Sequence, residues 1–321
     1  MPLTRKLLFP ILIMTSVLIA ACASADESKF PTPLSNQVET HADDQEAGEE
    51  HTHLDGSESP AALSVVMVPS ELVVGPNRFA IGIFDAQENL IHDAAVHFHY
   101  YDLRDPEKAV YESEADAQLV QDPEGLTTIY THDRDFNLPG LWGVEIEVVL
   151  PDGSVAKERM GLEISADSAT LSPGDKAPAL NTQTIDDVGE NLNLLTSAEK
   201  PIPEMHKLSL AQALANDKPT LLLLATPAFC QTRFCGPAYE MVGELQKEYA
   251  GQVNFVYVEV FDGLPDPGAV GFQPSAAAQE FGIESEPWAY FIDQDGTIVY
   301  RLEGLFSYAE LELQIQKRLD L

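Results

Sequence analysis

Positive charge and cysteine are scarce in this chain. Eighteen lysines and arginines stand against 52 aspartates and glutamates, a formal net charge of −34 over 321 residues. Such a field repels the phosphates of nucleic acid. It repels anionic lipid headgroups equally. Otherwise it bears on solubility and weak self-association, not on fold. The cysteines are Cys22, Cys230 and Cys235, and none falls between residues 60 and 166, which excludes an antibody-type disulfide there. The apolar run at residues 7–21 is too short for a comfortable membrane span.

That run follows Arg5 and Lys6 and closes on small residues, so it reads as a cleavable export signal. Its end, Ile19-Ala20-Ala21-Cys22, resembles a bacterial lipobox. The resemblance implies a lipid on Cys22 and a protein anchored to the cell membrane on the extracytoplasmic side. Two thiols then remain, five positions apart, in a compartment where a close pair is free to oxidise. Residues 1–21 form the lipoprotein signal peptide, and residues 22–59 read as a disordered acidic tether. Ten acidic residues against one lysine in 26–59 leave too little apolar surface to offset the entropy of ordering. His41, His51 and His53 lie among those carboxylates, but scattered in a flexible tail they read as no defined metal site.

From 60 to 166 the pattern is all-β. Residues 79–83 and 96–100 alternate in polarity, and 142–148 place apolar side chains on one face and glutamates on the other. Gly75-Pro76-Asn77, Pro139-Gly140 and Pro151-Asp152-Gly153 supply the expected turns. Short strands at this spacing predict an immunoglobulin-like sandwich acting as a spacer or docking module. His97 and His99 share one face of a strand, with His92 nearby. Two histidines at i and i+2 can ligate one metal ion, but the plainer reading is an exposed polar face, and no metal or cofactor is assigned.

Residues 167–321 alternate helix and strand, as in an α/β fold with helices on the faces of a sheet. Ser172-Pro173-Gly174 makes the join. Ser209 caps a short helix, and a buried strand follows at 220–225. After the cysteine loop a helix runs over 237–249, with Pro237 suited to its first turn. Residues 253–261 form a strand and 275–281 a short helix. Residues 288–292 and 297–302 form a hairpin around Asp293-Gln294-Asp295-Gly296, and Ser307 with Glu310 boxes the last helix.

This order, with the segment Gly174-Asp175-Lys176-Ala177-Pro178, resembles the thioredoxin superfamily over about residues 175–321. The resemblance implies dithiol chemistry at Cys230 and Cys235, and a cis peptide before Pro287 beside the cysteine loop, where a substrate backbone would dock. Thioredoxins carry Cys-x-x-Cys, whereas the spacing here is Cys-x-x-x-x-Cys. Two alignments compete: Cys230 is the leading cysteine, or Cys235-Gly236-Pro237-Ala238 matches Cys-Gly-Pro-Cys with its second cysteine lost. Five residues apart on an unbroken helix, two Cα atoms are about 8.6 Å apart. A disulfide needs about 4.4–6.8 Å, so residues 231–234 must be a loop if the pair bonds. A helix starting near Cys235 would favour the Cys235 thiolate, with Arg233 adding to the effect.

These features point to a membrane-tethered thiol-disulfide oxidoreductase, whose partners are exported proteins with thiols or disulfides and a redox partner protein. Three alternatives stand beside it. Peroxiredoxins place threonine three residues and proline seven residues before the reactive cysteine; Thr232 fits Cys235, whereas Pro227 is one position off. Redoxin-like copper-site assembly proteins use Cys-x-x-x-Cys with a late histidine, but the last histidine here, His206, precedes the cysteines. The third alternative is a binding lipoprotein with a structural disulfide. Trp288 and the Pro/Gly-rich residues 262–274 are expected to border the site.

Overall fold

Polarity alternates along the first half, and each alternation becomes a strand with one face inward. The computed structural model describes residues 63–105 and 107–319. The export segment, Cys22, the tether and its three histidines lie outside the described residues. Nine strands form two facing sheets: β1 (Ser64–Met67), β2 (Leu72–Val73), β3 (Gly75–Phe84), β4 (Ala95–Asp102), β5 (Val110–Asp116), β6 (Gln118–Gln121), β7 (Thr128–Phe136), β8 (Gly140–Val149) and β9 (Val155–Ser165). One sheet runs β1-β3-β7-β6 and the other β2-β9-β8-β4-β5. Phe79, Ile81, Phe98, Tyr100, Trp142, Val144, Ile146 and Val148 fill the space between them.

The three strands read most directly from alternation lie within β3, β4 and β8. Gly75-Pro76-Asn77, expected as a turn, is instead the start of β3. The chain bends just before it, where Gly75 takes φ 105°. The Asn77 side chain accepts from the Val73 N–H at 2.9 Å and so replaces a turn with a side-chain bridge.

The second half builds one four-stranded sheet, β11-β10-β12-β13. Its elements are α1 (Leu210–Leu214), β10 (Thr220–Ala225), α2 (Cys235–Glu248), β11 (Asn254–Glu259), α3 (Ala276–Phe281), β12 (Trp288–Ile292), β13 (Ile298–Glu303) and α4 (Tyr308–Arg318). β10 and β11 are parallel, whereas β12 and β13 are antiparallel additions. This order of elements agrees with the one that the resemblance implies. Both capping boxes form, Ser209 with Gln212 and Ser307 with Glu310. β10 is buried along its whole length, since both faces of the sheet are covered.

The described residues make one compact unit, and the two halves share a polar, largely dry contact. Arg78 on β3 donates to Glu310 on α4 through Nε at 2.9 Å and Nη2 at 3.0 Å, with both side chains under 10% exposed. Asp133 on β7 accepts from Tyr300 and, at 3.0 Å, from Gln314. Arg301 pairs with Glu71 at 3.0 Å. Beside these bonds Ala80, Val120 and Ile129 pack on Leu305 and on Phe234, the residue just before Cys235. The β1-β3-β7-β6 sheet thus buttresses the cysteine loop.

Candidate dithiol site

Two neighbouring strands bring the site together. β10 delivers the chain to Thr226 just past its C-terminal end, and its antiparallel partner β12 begins at Trp288, opposite Leu224. Residue 287 therefore arrives beside the loop that follows β10. The Glu286-Pro287 peptide is cis, as the resemblance implies. The loop is tied to that segment: the Gln231 N–H donates to Glu286 Oε1 at 3.3 Å, and the Thr232 hydroxyl donates to the Glu286 carbonyl at 3.3 Å.

Between the cysteines the chain is a bend, not helix, and Arg233 sits at φ 69°. That left-handed residue turns the backbone back, so α2 opens at Cys235 with Cys235 near Cys230. The Cys235 N–H donates to Cys230 Sγ at 3.4 Å, and Cys230 Sγ lies 3.3 Å from Thr232 Oγ1. The two sulfurs and a Glu286 carboxylate oxygen all fall within 4.8 Å of one another. Both cysteines are free thiols.

The two thiols are not equivalent. Cys230 is half-buried, and its pKa falls from an ordinary 9.0 to about 5. The leading cause is the hydrogen bond from the Cys235 thiol; Thr232 and the Cys235 N–H add to it and outweigh burial. Cys235 is fully buried among Ala225, Ala238 and Tyr239. Burial, and then the Cys230 sulfur, push its thiol far up. This reverses the expectation that the helix start would favour the Cys235 thiolate. The side chain at that first helical position is buried behind Cys230, and both its thiol and its N–H face the Cys230 sulfur. Arg233 contributes its backbone turn, and its side chain is exposed.

Glu286, whose carboxyl is raised mainly by burial, completes the site. In the sequence its only mark is the place before Pro287, which does not distinguish it from other acidic residues. A second support lies beneath the loop. Buried Glu259, at the end of β11, accepts from Tyr257 at 2.6 Å and from the Ser197 N–H at 2.9 Å. Ser197 Oγ in turn accepts from the Ala228 N–H at 3.1 Å.

Other expected neighbours are placed differently. Trp288 packs with Tyr290 and Phe281 on the opposite face of the sheet from Cys235. The 262–274 segment does reach the loop, where Phe272 meets Phe229 edge to face at 5.7 Å. His206 is not in the group that Cys230, Cys235 and Glu286 form: it is buried, with Nε2 3.2 Å from the Tyr239 hydroxyl. Burial lowers its pKa to about 4, so it is a neutral core residue. Cys235, the cysteine that the peroxiredoxin spacing singles out, is buried, and Thr232 contacts Cys230 instead. His97 and His99 lie on the β2-β9-β8-β4-β5 sheet, apart from the dithiol.

A scan against protein-family models finds no match, and neither does a search of curated proteins. Solved structures give distant likenesses. The chain is similar to a putative thiol:disulfide interchange protein DsbE from Chlorobium tepidum, at 17% identity and TM-score 0.31, covering 46% of this chain and 98% of that one. It is similar to a thioredoxin-like protein in the oxidised form, at 21% identity and TM-score 0.28, covering 45% and 93%. It is also similar to CopC from Methylosinus trichosporium OB3b, at 12% identity and TM-score 0.23, covering 33% and 97%.

Proposed function

We propose that the chain is an exported, lipid-anchored thiol-disulfide oxidoreductase with Cys230 as the attacking and Cys235 as the resolving cysteine. The observation that carries this reading is the asymmetry of the pair: an accessible thiol held acidic by a buried one behind it. Cys230 thiolate attacks one sulfur of a substrate disulfide, forms the mixed disulfide and expels the other sulfur as a thiolate. The negative charge on Cys230 is then gone, which removes one cause of the high Cys235 pKa. Glu286 takes the Cys235 proton, and the Cys235 thiolate attacks Cys230 Sγ. The Cys230–Cys235 disulfide forms and the second substrate thiol leaves. The substrate gains two electrons and the pair loses two; the reverse sequence oxidises a dithiol. The Pro287 edge would hold the substrate backbone, and the lipid on Cys22 would keep the reaction at the membrane surface.

The test is the midpoint potential of the pair, read by mass-shift alkylation across thiol buffers. A value between about −120 and −270 mV is expected of an exchange catalyst, whereas one below about −300 mV marks a structural disulfide and refutes the reading. The cluster of two sulfurs and a carboxylate also supports a second reading, capture of a soft ion such as Cu(I). Stoichiometric Cu(I) uptake lost on Cys230→Ser, with no exchange activity, would favour it.

A further inference from the structure

The β2-β9-β8-β4-β5 sheet faces away from the thioredoxin-like half, because that half packs on the other sheet. Val96, Phe98 and Tyr100 turn inward, so His97 and His99 emerge side by side on the outer face, their rings 4.7 Å apart. β4 lies between β5 and β8. Its register sets His97 between Asp116 and Glu147, and His99 between Glu114 and Glu145. Two imidazoles are thus ringed by four carboxylates.

The two sides of the ring differ. On the β8 side, Glu147 pairs with Lys157 at 2.7 Å and Glu145 with Arg159 at 2.5 Å. On the β5 side, among the described residues, no lysine or arginine lies within ion-pair distance of Glu114 or Asp116. The Tyr111 hydroxyl donates to Glu114 Oε2 at 3.1 Å and steadies it. Glu114 Oε2 stands 3.4 Å from His99 Nδ1 and 4.0 Å from His97 Nε2. The three donor atoms fall within 4.8 Å of one another. Ligands around a tetrahedral ion with bonds of about 2.0–2.1 Å are about 3.3 Å apart, so small side-chain rotations close the set. Asp116 Oδ1 meets His97 Nδ1 at 2.7 Å. With the proton on Nδ1, the Nε2 lone pair is aimed at Glu114, the carboxylate–histidine arrangement that orients metal-bound imidazoles.

We infer that His97 Nε2, His99 Nδ1 and a Glu114 carboxylate oxygen bind one divalent first-row transition-metal ion, with Asp116 as the positioning residue. Two imidazoles and one carboxylate suit Zn(II) or Cu(II) and not the all-oxygen ions Ca(II) and Mg(II). Three protein ligands on an open face leave a fourth position for water or an incoming ligand. The site is independent of the dithiol reading.

The test uses the full chain carrying Cys22→Ser, Cys230→Ser and Cys235→Ser, so that thiols take no part. After titration with zinc chloride or copper(II) chloride and desalting, one equivalent should be retained. The Cu(II) form should show superhyperfine coupling to two nitrogens in electron paramagnetic resonance. His97→Gln and His99→Gln should each abolish retention, while circular dichroism stays unchanged. Should either variant fail to fold, Glu114→Gln on the exposed edge strand carries the same test. Asp116→Asn should weaken binding about ten- to a hundred-fold with the two-nitrogen signal kept. Replacing His41, His51 and His53 with Ala should change nothing. The proposal is overturned if no metal is retained, if retention survives both histidine variants, or if it is lost with the tail histidines.

Discussion

Cys230 should remain a thiolate at pH values where ordinary thiols are fully protonated. With a pKa of about 5 it is about nine-tenths ionised at pH 6, against about one part in a thousand for a thiol at 9.0. A more acidic thiolate is a weaker nucleophile. A Brønsted slope of about 0.4–0.5 across that gap costs about forty- to a hundred-fold in intrinsic rate. The balance predicts that iodoacetamide alkylates Cys230 about ten- to twenty-fold faster than a model thiol at pH 6, and about thirty-fold or more slower at pH 9.5. The pH profile is therefore more diagnostic than any single rate. It should rise around pH 5 and stay flat above about 6, as should the thiolate absorbance near 240 nm. Cys235→Ala removes the largest cause of the low value and should move the midpoint up by at least about one pH unit, leaving the backbone N–H and Thr232 as the remaining donors. A wild-type midpoint at 8 or above would refute the assignment of Cys230 as the attacking thiolate. An unmoved midpoint in Cys235→Ala would show that the buried thiol is not its cause.

Further outcomes follow from the same geometry. Glu286→Gln should leave the first attack intact but slow resolution about a hundred-fold, the low end of what a positioned base supplies; acid-quenched mass spectrometry would then find the mixed disulfide accumulating. Arg78→Ala strands the buried Glu310 carboxylate and should cost about 3–5 kcal/mol in urea unfolding, and a loss under 1 kcal/mol would mean the pair is not dry. Burial pushes the Glu71 carboxyl up, yet hydrogen bonds from Ser168, Ala169 and Thr170 and the charge of Arg301 bring it from 4.5 to about 2. Its folded value lies below its unfolded one, so its contribution is complete above about pH 4.5 and is lost as pH falls toward 2. The stability gap between wild type and Glu71→Gln should accordingly shrink on acidification, and a gap that widened would contradict the sign.

Local chemistry made most of the elements legible in the chain. Alternation marked β3, β4 and β8 because a strand's faces differ by one residue. Continuous apolar sequence marked β10 because a sheet covered on both faces has no polar side. Ser209 and Ser307 announced two helix starts because their hydroxyls accept orphan backbone N–H groups. The cysteine spacing required a break between the thiols if the pair is to bond, and the bend at residues 231–233 supplies one.

What the order of residues could not decide was direction and company. Whether Cys230 or Cys235 is acidic depends on which side chain the start of α2 turns into the core, and Arg233 at φ 69° sets that turn. Glu286 joins the thiols only because β12 runs antiparallel to β10, and Glu114 joins His97 and His99 only through the register of β4 and β5. Arg78 and Glu310 are 232 positions apart, and nothing local to either residue calls for the other. Capping, alternation and turn chemistry act over a few residues and are written in the chain. Acidity, ligand sets and buried ion pairs arise from groups that meet only when the sheets close, and the tertiary structure alone decides them.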